Sequence, residues 1–180
     1  LPTIAREFAS PIGRVELSIS TFLIGFSLGQ LFWGPLGDRY GRRRPIAAGL
    51  VLFMVGSAGC ALSSTIAHFL IWRVIQALGA CAGPVLARAM VRDLYERERS
   101  AQMLSTLMLM MALAPLAGQL LGGQILTIAS WRSLFWLLVA AGLLALAALR
   151  RLPETLPVGR RQRAALRNAM ANDLGLIRDP

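Results

Sequence analysis

The chain has 180 residues, a mean hydropathy of +0.58, a hydrophobic fraction of 56% and a charged fraction of only 16%. A soluble domain carries about 25% charged residues, and a chain of this length cannot bury so much apolar surface and still show water a polar face. The net charge of +10 comes from arginine without any lysine, in short links between long apolar runs; this points away from nucleic acid, whose binders gather charge on one face of a soluble fold, and makes the lipid bilayer the first partner.

Residues 1–16 contain no apolar run of spanning length, no initiating Met and no signal-peptide pattern. They read as the outer end of an earlier helix that is missing, followed by a periplasmic loop. Five apolar stretches of about 20 residues come next, the length that crosses a bilayer. They run from Leu17 to Leu36, Ile46 to Ala67, Phe69 to Val91, Ala101 to Leu126 and Ser133 to Leu149. Each is expected to be a helix, because a lone strand in lipid leaves its backbone groups unpaired. Residues 17–149 thus form a transmembrane bundle, and residues 150–180 read as a cytoplasmic linker, so that the fold class is all-α integral membrane.

The links alternate in charge. Gly37 to Pro45 carries Arg39, Arg42, Arg43 and Arg44, and Arg92 to Ser100 carries Arg92, Arg97 and Arg99. The tail adds Arg150, Arg151, Arg160, Arg161, Arg163, Arg167 and Arg178, while Thr65 to His68 has none and Thr127 to Arg132 has only Arg132. Arginine-rich links stay on the cytoplasmic side, which places Leu1 outside in a multi-pass membrane protein. Trp72 and Trp131 then fall at outer span ends, where an aromatic belt is expected.

Several residues inside this frame carry chemistry. Phe26, Gln30 and Trp33 share one face of the first span, either lining a cavity or packing between helices. The segment Gly34-Pro35-Leu36-Gly37-Asp38-Arg39-Tyr40-Gly41-Arg42-Arg43-Arg44-Pro45-Ile46 permits a tight turn through its glycines. Asp38 is the one carboxylate among its guanidiniums, and Asp38 and Arg42 can pair at helical spacing. Asp93 lies at the same membrane depth. Arg73 lies inside a span, where a charge costs about 2.5–3.5 kcal/mol, so it faces protein or a wet cavity with Gln76 one turn on, or else snorkels outward. Gly79 and Gly83, and again Gly118 and Gly122, form small-xxx-small pairs suited to close helix packing. Pro115 removes a hydrogen bond from the same span as Gln119. Met103, Met108, Met110 and Met111 precede it, as an adaptable surface or as gap-fillers. Cys60 and Cys81 read as small core hydrophobes and His68 as a loop marker. No metal-ligand spacing, cofactor motif or catalytic constellation is present.

The segment from Gly34 to Ile46 resembles the signature loop of the major facilitator superfamily, G-x-L-a-D-r-x-G-r-k-x-x-l, through Gly34, Leu36, Asp38, Arg39, Gly41 and Arg42. Arg43 stands for the Lys, Ile46 for the Leu, and Gly37 replaces the usual Ala. Arg73 and Gln76 resemble the fourth-helix motif R-x-x-q-G-x-g, with the Gly displaced to Gly79. Ala114-Pro115-Leu116-Ala117-Gly118-Gln119 is a degenerate form of the antiporter motif G-P-x-x-G-G. Leu1-Pro2, Met90 to Tyr95, Trp131 to Trp136 and Glu154 to Pro157 resemble the bicyclomycin/chloramphenicol-resistance (Bcr/CflA) drug exporters.

The resemblance implies a bundle equivalent to helices two to six of the amino-terminal half of that fold. It implies proton-coupled efflux of small amphipathic drugs by alternating access, with protons as a second partner and a missing first helix and carboxy-terminal half completing the path. It further implies a cytoplasmic gate of Asp38, Arg42 and Asp93, framed by Gly34 and Gly41, with Asp38 also facing a helix amino-terminus of the missing half. The substrate and proton path would involve Arg73, Gln76, Gln30, Phe26 and Gln119. Sparse polar groups on the cavity side favour drug-like cargo. A metabolite carrier of the same superfamily and a non-transporting membrane fragment are the alternatives. No Asp or Glu falls inside the five apolar stretches, so the coupling carboxylate is expected outside this chain.

Overall fold

The computed structural model describes residues 2–152, 154 and 155. Among them every regular element is helical: α1 (Pro2–Glu7), α2 (Ile12–Tyr40), α3 (Arg43–Leu62), α4 (Ile66–Ala80), α5 (Ala82–Leu94), α6 (Arg97–Ile128) and α7 (Trp131–Arg151). Five spans long and apolar enough to cross a membrane result: α2, α3, α4 with α5, α6 and α7. Leu1, Pro153 and residues 156–180 lie outside the described residues, and with them Leu156, Pro157 and the tail arginines from Arg160 onward.

The helices overrun the apolar windows that announce them. At 29 residues α2 is about 44 Å long, against a hydrocarbon core of about 30 Å. Both its ends therefore reach the headgroup level, and Glu16 and Asp38 belong to the helix rather than to loops. Gly34 and Gly37 are helical too, not part of a turn; the turn is only Gly41 and Arg42. Gly41 has φ 89, a left-handed conformation that a Cβ would strain. The second span ends at Leu62 instead of Ala67, and Ser63–Thr65 links it to α4. His68 is in the first turn of α4 rather than in a loop. Its backbone N–H donates to the Thr65 hydroxyl at 3.3 Å, an N-cap. The third span is two helical segments meeting at Cys81, because Pro84 lacks the N–H that would bond back one turn.

Packing centres on α4, which lies against α2 and α3, while α7 lies against α3. A row of four-residue steps on α2, Gly25, Gly29, Trp33 and Gly37, is buried along α4 and α5. The α3–α4 contact is closer still: a Cβ built on Gly56 would sit 2.6 Å from the Gln76 Cα. One on Gly79 would meet the backbone of Phe53 and the Gly49 carbonyl. By contrast α6 lies mainly against α5 and α7, and only Ser100 on it is buried. Leu23, Ile24, Leu28, Leu120 and Leu144 all point outward. Side chains of this kind on the outside, with small residues inside, suit a bundle whose solvent is lipid.

Candidate functional site

At the arginine-rich end, the two-residue turn swings Arg42 back under α2. Its guanidinium is nearly buried, with 8% of the side chain exposed. Nη1 pairs with Asp38 Oδ1 at 2.7 Å, and Nε donates to Asp93 Oδ2 at 2.8 Å. Nη2 lies 3.5 Å from Asp93 Oδ1. One cation thus ties the end of α2 to the end of α5. Burial pulls the Arg42 pKa down, but the Asp93 hydrogen bond and the charges of Asp38 and Asp93 outweigh it and hold it above the ordinary arginine value. A cavity of about 240 Å³ opens beside the cluster, lined by Gly34, Asp38, Arg42, Val85, Ala89, Arg92 and Asp93. Asp38 is 45% exposed on its side chain and Asp93 21%, so Asp38 is the member that can exchange partners.

Glu154 joins this end in a way that sequence reasoning did not anticipate. Its two oxygens accept the backbone N–H groups of Arg42 at 2.8 Å and Arg43 at 3.3 Å. These are the N-cap and first residues of α3, and a carboxylate there satisfies open donors and meets the positive end of the helix. The two partners are 112 residues apart in the chain, so no local pattern signals the contact.

Deeper in the bundle, Arg73, Gln76 and Ser57 form a polar chain. Arg73 Nη1 donates to Gln76 Oε1 at 2.7 Å, Gln76 Nε2 donates to Ser57 Oγ at 2.8 Å, and Ser57 Oγ donates to the Phe53 carbonyl at 2.7 Å. The Arg73 guanidinium also lies 4.4 Å above the Phe22 ring, a cation–π contact. Its Nε is buried and has no hydrogen-bond partner among the described residues. Ser57 and Phe22 were missed by sequence reasoning; a serine four residues from a carbonyl it can bond carries no distinguishing local signal.

The remaining sequence candidates are scattered. Trp33 is buried and donates its indole N–H to the Leu78 carbonyl at 2.7 Å. It is a packing residue, not a cavity wall, while Phe26 packs partly on the same cluster and Gln30 is half-buried. Gln119 and Pro115 are exposed on α6. A Cβ built on Gly83, Gly118 or Gly122 would find nothing within 4 Å, unlike one on Gly79. Cys60 and Cys81 are buried free thiols.

The opposite end is tied by aromatic and charged groups. Phe8, Phe69, Trp131 and Phe135 make edge-to-face and tilted contacts with ring centroids 5.6–6.0 Å apart. Glu7 accepts from the Trp131 indole and pairs with Arg132. Arg132 also donates to the carbonyls of Ala61 at 2.9 Å and Ser63 at 3.0 Å. Trp131 is thereby only 3% exposed; it is buried against protein rather than standing in an interfacial belt, because its polar edge finds Glu7. The hydrogen bonds of Trp131 and Arg132 and the arginine charge hold the Glu7 carboxyl below its usual range despite some desolvation.

The chain is 36% identical over 181 aligned positions to the MFS-type transporter YdgK of Bacillus subtilis, covering 99% of this chain and 45% of that protein. It is 37% identical to a chloramphenicol resistance protein of Pseudomonas aeruginosa, covering 86% of this chain and 38% of the relative. It is 34% identical to multidrug resistance protein D of Escherichia coli, covering 86% of this chain and 39% of the relative. The chain thus spans less than half the length of these relatives. Among solved structures, the proton:xylose symporter XylE bound to 6-bromo-6-deoxy-D-glucose superposes with a TM-score of 0.76 at 19% identity, over 86% of this chain and 40% of that one. The human organic anion transporter MFSD10 superposes with a TM-score of 0.61 at 25% identity, over 92% and 40%. The family model of the Major Facilitator Superfamily matches residues 1–180, and with its helical bundle and transporter relatives the chain belongs to that superfamily of membrane transporters.

Proposed function

We propose that this chain forms most of the amino-terminal half of a proton-coupled drug efflux antiporter of a bacterial cytoplasmic membrane, working by alternating access. Helices α2 to α7 correspond in this reading to helices two to six, and the substrate passes between this half and a second one. The observation that carries the reading is the buried Arg42 held by Asp38 and Asp93 at the arginine-rich end. Such a cluster can latch one state of a rocking bundle, because half-exposed Asp38 can release Arg42 at modest cost. Gly34 and Gly41 frame it. Arg73 and Gln76, with Gln30, Phe26 and Gln119, belong to the substrate and proton path. Few polar groups and many exposed Met and Leu side chains on α6 suit an amphipathic, drug-like cargo. The names of the chloramphenicol- and multidrug-resistance relatives support the same cargo class.

Drug accumulation in cells carrying the full-length gene product tests the latch. Asp38→Asn is expected to reach the membrane at the wild-type level and to lose most export, whereas Arg97→Gln, exposed at the start of α6, keeps it. Near-normal export by Asp38→Asn at matched expression removes the gate and leaves Asp38 a topological role only.

A further inference from the structure

A crevice of about 520 Å³ lies between the start of α3 and the end of α7, with no lining residue in common with the Asp38–Arg42–Asp93 cavity. Arg43, Arg44 and Arg150 stand around it, and Ala47, Leu146 and Leu149 line its apolar part. Among the described residues Glu154 is the one acidic group on its lining, and both its oxygens accept backbone N–H groups of Arg42 and Arg43. Three guanidiniums against one carboxylate leave the crevice with a positive excess. Arg43 is oriented there by a 2.8 Å hydrogen bond from Nη2 to the Arg150 carbonyl. That contact also joins the two helices across the crevice.

We propose that this crevice binds the phosphate headgroup of an anionic phospholipid. The guanidinium fork matches phosphate oxygens in shape and charge. Basic pockets between spanning helices at the membrane surface hold such headgroups. The lipid, rather than a soluble phosphate, is singled out by what lies below the arginines. Ala47, Val51 and Val55 follow one another at four-residue steps down α3, and the two valines are exposed. On α7, Leu146 and exposed Leu143 continue the same descent. Acyl chains have an apolar track there, running from the level of the helix ends toward the bilayer centre. A free phosphate ion gains nothing from that track.

The test is native mass spectrometry of the full-length gene product titrated with phosphatidylglycerol or phosphatidylcholine. Wild-type protein is expected to retain phosphatidylglycerol in preference to phosphatidylcholine. The triple variant Arg43→Gln, Arg44→Gln, Arg150→Gln is expected to bind phosphatidylglycerol about tenfold more weakly. A second triple variant, Arg92→Gln, Arg97→Gln, Arg99→Gln, removes the same charge from the α5–α6 end and is expected to keep the wild-type affinity. Equal affinity of the first triple variant and wild type overturns the site. Equal loss in both variants overturns it too, by reducing it to general charge. Displacement of phosphatidylglycerol by inorganic phosphate at matched concentration overturns the lipid as occupant. If the first triple variant does not fold, exposed Arg44→Gln alone decides: a loss of about threefold supports the site, and no loss overturns it.

Discussion

Arg42 and Arg132 do the same physical work at opposite ends of the bundle: each draws together segments distant in the chain by satisfying more than one acceptor. Arg42 holds Asp38 and Asp93, while Arg132 holds Glu7 and the carbonyls of Ala61 and Ser63. The second cluster has a pH signature. The folded state lowers the Glu7 pKa from its usual 4.5, so the unfolded chain takes up the proton first as the pH falls. The contact's contribution is therefore complete above the usual carboxylate range and disappears as the pH drops through the lowered folded value. Thermal unfolding of wild type and Glu7→Gln, followed against pH, is expected to show wild type more stable at neutral pH and the two curves converging as the pH falls below the usual carboxylate range. Curves separated by the same amount at acid and neutral pH would show that Glu7 acts through packing instead. The Asp38–Arg42 pair was legible in the sequence from its four-residue spacing, although α2 ends at Tyr40 and it is the turn at Gly41 and Arg42, not a continuous helix, that closes the pair. Glu7 and Glu154 were not, since their partners are more than a hundred residues away.

Between helices, the decisive property is how closely two backbones approach. The small-xxx-small spacing marks Gly79 and Gly83 alike, yet only Gly79 meets the neighbouring α3 backbone. Gly79→Ala is expected to force α3 and α4 apart and to lower stability by roughly 1–3 kcal/mol, the usual cost of overpacking. Gly83→Ala, with open space around it, is expected to be neutral. Melting curves of the two variants in one detergent check this, and equal melting temperatures would refute the close-contact account. The break at Cys81 is another matter of the element. Composition reads the stretch from Phe69 to Val91 as one span, and Pro84, visible in the sequence, divides it into α4 and α5. Element existence followed from apolar length, but the ends did not, because helices continue past the hydrocarbon core wherever polar end residues find headgroups or partners.

For the whole molecule, the placement of carboxylates limits what this chain can do. Among the described residues every Asp and Glu lies in a link or within about two turns of a helix end, so the middle of the bundle contributes a cation, Arg73, and no acid. A proton-driven exporter needs a buried carboxylate whose pKa the site can shift. Purified and reconstituted alone in liposomes, the 180-residue chain is therefore expected to give no drug accumulation in response to a pH gradient. Accumulation above protein-free vesicles would place the coupling group within it. By itself the sequence determined the membrane as solvent, the five spans and the superfamily, because apolar length, arginine placement and the Gly34–Ile46 signature are local patterns that lipid and a tight turn impose directly. Only the tertiary structure decided which glycines pack, that Trp33 and Trp131 are buried, and that Ser57, Gln76 and Arg73 form one chain. It alone brought Glu154 to the start of α3. These outcomes depend on which helix faces which, and that follows from shape complementarity between segments far apart in the chain, a property that no short window of residues carries.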